Sequence, residues 1–113
     1  MNRKFPDTRL RRLRSNPSLL KITAETSLTV DDLIQPIFVK EGIKKAEAIE
    51  SMPNVNRYSK EGVIDYCKSL MDLGIKAVAL FPVIDFKKKD LDGIEAFNRK
   101  NLICGIVESI KKK

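Results

Sequence analysis

Cys67 and Cys104 are the two cysteines of this sequence, which contains no histidine. Thiolates and imidazoles are common zinc ligands, but these two cysteines form no CxxC pair and lack the further ligands that a zinc cluster needs. Each falls on the apolar side of a predicted helix, and free cysteine is among the residue types most often buried. We therefore interpret both as small buried apolar side chains.

A second chemical feature is a basic segment before Ser15, within a sequence of formal net charge +7. Its basic residues are Arg3, Lys4, Arg9, Arg11, Arg12 and Arg14, against the single acid Asp7. A run of arginines with so few apolar neighbours cannot form a core, so it must be solvated or lie on another surface. Nucleic acid, anionic lipid and a neighbouring protein subunit are all admissible partners.

Around these residues the sequence predicts a soluble globular domain, since 42% of it is apolar and 33% charged. The length of 113 residues suits one small domain. Apolar stretches such as residues 77–81 are far shorter than the roughly 20 residues that cross a bilayer. The N-terminus is polar where a secretory signal is apolar. We expect no membrane partner and a cytoplasmic location.

The first half of the chain predicts a basic arm with a short helix over residues 1–28, followed by a strand. Asn16 before Pro17 is a typical helix start, and Thr29 followed by two acids is another. Residues 33–39 are rich in β-branched and aromatic side chains and predict a strand. Residues 41–58, with Gly, Pro and Asn, predict a long connection that contains a small hairpin.

The second half predicts helix, strand and helix. Ser59 is a good N-cap, and residues 63–71 place apolar side chains on one helical face that ends at Gly74. Residues 75–81 form a nearly continuous apolar run bounded by Gly74 and Pro82, as in a buried parallel strand. A polar loop follows at residues 85–92, and residues 102–110 form another apolar helical face.

Strand and helix therefore alternate, which is the start of an α/β barrel or a doubly wound sheet. A complete barrel has eight such units in about 250 residues, and residues 29–113 contain two. Two parallel strands alone would leave apolar side chains and strand edges uncovered.

Five segments, taken in order, resemble the porphobilinogen synthase (delta-aminolevulinic acid dehydratase) family. They are residues 9–14 (RLRRLR), 33–39 (LIQPIFV), 51–55 (SMPNV), 73–81 (LGIKAVALF) and 95–98 (EAFN). The resemblance implies an α/β fold: an N-terminal arm plus the first two βα units of a (β/α)8 TIM barrel over residues 29–113. It implies that the sequence is the N-terminal portion of an enzyme that condenses two 5-aminolevulinate molecules to porphobilinogen in tetrapyrrole (heme) biosynthesis.

The resemblance also implies Schiff-base lysines and a zinc or magnesium ion in the full-length family. None of the family's catalytic, cofactor-binding or metal residues maps onto residues 1–113. Lys40, Lys76 and Lys87 match no family motif, and we interpret them as solvated surface charges. We expect the isolated chain to be inactive and to bind no cofactor.

The resemblance further implies a homo-oligomer, commonly an octamer, in which the arm with Arg9, Arg11, Arg12 and Arg14 wraps a neighbouring subunit. That explanation of the arm needs no nucleic acid. The alternative is a small basic binding or assembly module acting through the arm, which would bind nucleic acid with steep salt dependence. A third possibility is an interaction piece that grips a full-length subunit.

Overall fold

A computed structural model describes residues 4–112 of the chain. The strands are β1 (Ile34–Lys40), β2 (Ala46–Ala48), β3 (Asn56–Tyr58) and β4 (Ala77–Val83). The helices are α1 (Pro17–Ile22), α2 (Lys60–Asp72), α3 (Ile94–Phe97) and α4 (Leu102–Lys111). Short 3-10 turns occupy Arg12–Arg14, Val30–Asp32 and Phe86–Lys88.

The predicted strand–helix–strand unit is confirmed as β1, α2 and β4. The hydroxyl of Ser59 accepts a hydrogen bond from the Gly62 amide at 3.1 Å, which caps α2 as the sequence predicts. Gly74 takes a positive φ of 85° just after the helix, where a residue without Cβ is favoured. The chain then enters β4, which pairs parallel with β1.

The four strands form one sheet in the order β2-β3-β1-β4. β1 and β4 pair in register over their whole length, from Ile34↔Ala77 to Lys40↔Val83. β2 and β3 form an antiparallel hairpin within the predicted long connection. β3 also lies parallel to β1, but only through Phe38↔Arg57 and Val39↔Tyr58.

A small core lies between one face of this sheet and the helices α2 and α4. Its fully buried members are Ile37, Val39, Val63, Leu70 and Ile106. Alternation along β1 sends Ile37 and Val39 to the helix side, so the intervening side chains point to the other face of the sheet. Among the described residues no element covers that other face.

The basic arm lies outside the core. No residue of the Arg12–Arg14 turn or of α1 is buried, although Asn16 caps α1 as predicted by accepting from the Leu19 amide at 2.9 Å. The radius of gyration is 22.2 Å, against about 13 Å for a compact chain of similar length. The arm therefore extends away from the α/β unit. No helix within residues 4–112 is long and apolar enough to cross a membrane.

Several local predictions need correction. β4 runs through Pro82 to Val83 instead of stopping before the proline, because an edge strand tolerates a residue without an amide hydrogen. Thr29 and its acids begin only a 3-10 turn, because β1 starts directly after it. Cys67 and Cys104 do lie on α2 and α4, but they are partly buried, not fully buried.

Candidate functional site

The uncovered face of the sheet is mostly apolar where β1 and β4 lie side by side. Phe38 and Phe81 are paired across the two strands with their ring centroids 5.8 Å apart. Ile34 is 65% exposed and Phe81 49% exposed, although parallel sheets usually have both faces covered. This surface, called the open face below, consists of Ile34, Pro36, Phe38, Ala77, Ala79, Phe81 and Val83.

Three charged side chains continue the open face across β1, β2 and β3. Lys40 Nζ lies 2.8 Å from Glu47 Oε2, and Arg57 Nη1 lies 3.1 Å from Glu47 Oε1. The hydrogen bond from Lys40, with a smaller contribution from Arg57, holds the pKa of Glu47 below its usual range. Two cations thus share one carboxylate, which leaves excess positive charge at the carboxyl end of β1.

The loops that follow β1 and β4 meet at the same edge of the sheet. Lys88 Nζ lies 2.9 Å from Glu41 Oε2, so the loop after β4 is tied to the residue after β1. This hydrogen bond raises the pKa of Lys88. Within the loop after β4, Asp85 caps the turn Phe86–Lys88 by accepting a hydrogen bond from the Lys87 amide at 3.0 Å. Carboxyl ends of parallel strands are where α/β folds place their binding loops.

The three lysines considered from the sequence are not brought together into a nucleophilic site. Lys76 is 77% exposed and pairs with Asp31 at 2.7 Å. Lys87 is exposed in the loop after β4. Lys40 departs from the prediction of a solvated charge, because it is partly buried in the ion-pair cluster with Glu47. A Schiff-base lysine requires a desolvated amine, and exposed or ion-paired amines do not meet that requirement.

A metal ion of the kind implied by the family resemblance does not fit the described part of the chain. Within residues 4–112 no group of three or more His, Cys, Asp or Glu side chains converges as a metal site. Burial raises the pKa of the Cys67 thiol, which disfavours the thiolate that would bind a metal. We therefore assign no metal ligand to these residues.

The arginines within residues 4–28 of the arm present their guanidinium groups to solvent. Arg9 lies over the Phe5 ring at 5.6 Å from the centroid, and Arg11, Arg12 and Arg14 are exposed.

Glu47 and Arg57 are the charged pair that sequence reasoning missed. They stand directly opposite each other in the hairpin, and only the register of the hairpin could have indicated their contact.

Comparisons with known proteins agree with the resemblance in the sequence. The family profile described as "Delta-aminolevulinic acid dehydratase" matches residues 7–113. A protein of that name from Methanothermus sociabilis is 44% identical over 97% of this chain and 34% of its own length. The protein of that name from Bradyrhizobium diazoefficiens is 41% identical over 93% of this chain and 30% of its own length.

A solved structure extends this agreement to three dimensions. The delta-aminolevulinic acid dehydratase (porphobilinogen synthase) from Toxoplasma gondii ME49, in complex with the reaction product porphobilinogen, superposes with a TM-score of 0.82 at 30% identity. The match covers 93% of this chain and 30% of that one, so this chain spans about a third of the length of its relatives. The α/β sheet, the order of its elements and the profile match together show that the chain belongs to the delta-aminolevulinic acid dehydratase family.

Proposed function

We propose that residues 1–113 act as the N-terminal part of a porphobilinogen synthase, a lyase that condenses two molecules of 5-aminolevulinate to porphobilinogen with loss of water. The observation that carries the proposal is the match of residues 7–113 to the family profile, within a chain that spans about a third of its relatives. The relative from Toxoplasma gondii was solved with porphobilinogen bound.

In this proposal residues 1–28 form the arm and residues 29–113 form the first two βα units of a (β/α)8 barrel. The first unit is β1 with α2, and the second is β4 with α4. The exposure of Ile34 and Phe81 supports this division, because side chains that line a barrel interior need the remaining strands to cover them. The open face would then be part of the barrel interior.

The catalytic chemistry is assigned to the part of the family's length beyond this chain. We propose that the Schiff-base lysines and the zinc or magnesium ion belong to that part. The exposure or ion pairing of Lys40 and Lys76 and the lack of a metal-ligand cluster within residues 4–112 support this proposal. We therefore propose no catalytic, cofactor-binding or metal-binding residue within residues 1–113. What this part contributes is two strands, their loops and the charged cluster at the carboxyl edge.

The arm is proposed to bind a second subunit of the same enzyme. Two observations support an assembly role: the molecule is extended, and residues 4–28 contain no buried residue that would hold the arm to its own subunit. Arg9, Arg11, Arg12 and Arg14 are exposed and available for such a contact. Nucleic acid and membrane are not expected partners. A cytoplasmic location stays a prediction.

The test is an assay of porphobilinogen formation from 5-aminolevulinate with two proteins. One is the isolated 113-residue chain. The other is the same chain joined to the remaining two thirds of the Methanothermus sociabilis relative. We expect activity only from the joined protein. Turnover by the isolated chain would contradict the assignment of the catalytic groups, and salt-sensitive nucleic-acid binding with an inactive joined protein would favour the basic binding module.

A further inference from the structure

The connection between β4 and α4 contains a segment that is both acidic and apolar. We call residues 90–97 (DLDGIEAF) the acidic segment. It has three carboxylates and no cationic residue, whereas lysines precede it at residues 87–89 and Arg99 and Lys100 follow it. Within residues 4–112 none of Asp90, Asp92 and Glu95 forms an ion pair. The acidic segment therefore carries negative charge that no ion pair neutralises.

The large apolar side chains of the acidic segment face solvent. Leu91 is fully exposed, and Ile94 and Phe97 are largely exposed. The segment is nevertheless ordered, because Asp90 Oδ1 accepts a hydrogen bond from the Ile94 amide at 3.0 Å and residues 94–97 form the helix α3. An ordered segment that clusters exposed apolar side chains with acids has the composition of an interaction surface.

The arm has the opposite charge and similar apolar exposure. Residues 9–14 (RLRRLR) combine four arginines with two leucines and contain no acid. Leu10 and Leu13 are both exposed. No arginine of the arm forms an ion pair within the described part of the chain, residues 4–112. The arm therefore offers the cations that the acidic segment lacks, beside apolar side chains that need cover.

A second copy of this chain supplies the occupant that fits the acidic segment best. Opposite charges placed among apolar side chains let two surfaces cover each other while each charge finds a partner. The arm of the same subunit extends away from the α/β unit, as the radius of gyration of 22.2 Å indicates. Nucleic acid would contact only the arginines, because phosphates are repelled by the acidic segment and would leave its apolar side chains uncovered.

We propose that the acidic segment, residues 90–97, is the surface on which the arm of a neighbouring subunit docks. The arginines of residues 9–14 then lie against the three carboxylates, and the two leucines of the arm lie against the exposed apolar side chains. This inference rests on the proposed role of the arm in assembly. Two subunits related by a two-fold axis make the contact twice, because each gives one arm and receives one.

Zero-length cross-linking tests the contact directly. Arg11→Lys and Arg12→Lys keep the charge of the arm and add amines, which a carbodiimide joins to carboxylates that lie in contact with them. The 113-residue chain with both substitutions is prepared unlabelled and labelled with heavy nitrogen, and the two preparations are mixed at low salt, since salt screens exposed charges. We expect linked peptides that combine the arm of one preparation with the acidic segment of the other.

Charge exchange between the two surfaces provides the second measurement. One variant carries Arg11→Glu, Arg12→Glu and Arg14→Glu, and the other carries Asp92→Lys and Glu95→Lys. Each variant alone should associate at least about tenfold more weakly than the native chain. An equal mixture should recover the association, because each arm then meets an acidic or basic segment of opposite charge. Association through the open face is common to all variants, so it cancels in the comparison.

The matched control carries Glu50→Lys and Asp72→Lys, two exposed carboxylates outside the acidic segment. It changes the net charge by the same amount as Asp92→Lys with Glu95→Lys, and it should weaken association much less.

Three outcomes would overturn the inference. Links found only within single chains would make the arm of the same subunit the occupant. Equal association of the acidic-segment variant and its control would show that net charge alone is responsible. The absence of any link between arm and acidic segment would exclude the contact, and nucleic-acid binding by the arm in that case would favour the basic binding module. Neither measurement uses porphobilinogen formation, so the turnover of the joined protein tests the proposed function separately.

Discussion

Gly62, in the first turn of α2, lies against the backbone of Lys45, the residue just before β2. A Cβ at this position would collide with the Lys45 carbonyl oxygen and approach Tyr58. That carbonyl cannot move freely, because it accepts a hydrogen bond from the Ser59 amide at 2.9 Å. Only glycine permits this close approach, so the junction between hairpin and helix depends on it.

We expect Gly62→Ala to destabilise the chain by about 1–3 kcal/mol, the usual cost of forcing extra volume into a packed site. The measurement is urea denaturation followed by far-UV circular dichroism. Gly105→Ala is the matched control, because its Cβ would meet only Lys60 Nζ at 3.7 Å and alanine favours a helix interior. A stabilising Gly62→Ala would show that helix propensity outweighs the contact.

Glu47 should make the hairpin sensitive to acid. Its pKa in the folded chain is lowered from 4.5, chiefly by the hydrogen bond from Lys40. A lowered folded pKa means that the stabilisation is present above the ordinary value and is lost as the pH falls through the folded value. Protection factors of the β2 and β3 amides should therefore fall on acidification below pH 4.5.

Glu47→Gln should remove that part of the acid response, because the amide carries no charge at any pH. Glu50→Gln is the control, since Glu50 is an exposed carboxylate near the same turn. Equal acid sensitivity of the native chain and the Glu47→Gln variant would mean that other groups hold the hairpin.

At the scale of elements, a charge introduced on the open face of β1 and β4 should have opposite effects on the isolated chain and on the joined protein. Phe81→Asp places a charge on a surface that is half exposed in this chain. The isolated variant should keep its helix content and self-associate less. The joined protein carrying Phe81→Asp should fail to fold cooperatively, because an unpaired charge would be buried in the barrel.

Met71→Asp is the matched control for this comparison, because Met71 is 72% exposed on α2, away from the open face. It should change neither protein strongly. The measurements are circular dichroism and size-exclusion chromatography of Phe81→Asp and Met71→Asp, each in the isolated chain and in the joined protein. A joined Phe81→Asp protein that folds as well as the joined Met71→Asp protein would show that the open face is not covered.

The elements themselves were largely predictable, because their signals are local. Ser59 and Asn16 fix helix starts through their own side chains, and both caps are confirmed. The predicted end of β4 before Pro82 was wrong. A strand tolerates a proline where its edge has no partner, and the sequence does not show which edge that is. The hairpin was expected, but its parallel pairing with β1 and the Glu47–Arg57 contact were not, because sequence periodicity carries no register between strands.

At the scale of the whole molecule, the arm and the α/β unit should be separable. The fully buried residues run from Ile37 to Ile106, and none lies in the described part of the arm, residues 4–28. We therefore expect deletion of residues 1–28 to leave the α/β unit intact. The radius of gyration in solution scattering should fall from 22.2 Å toward that of a compact chain. The loss of helical ellipticity should not exceed the short contribution of α1.

Deletion of α4 provides the contrast, because it removes only 10 residues but takes Ile106 out of the core. Deletion of α4 from the isolated chain should expose the core and abolish the remaining folded structure. Deletion of the arm from the joined protein should instead change the oligomeric state while the barrel stays folded. Loss of the α/β signal on arm deletion would mean that the arm stabilises its own subunit. An intact α/β unit together with a changed oligomeric state would show that the arm makes its contacts on a neighbouring subunit.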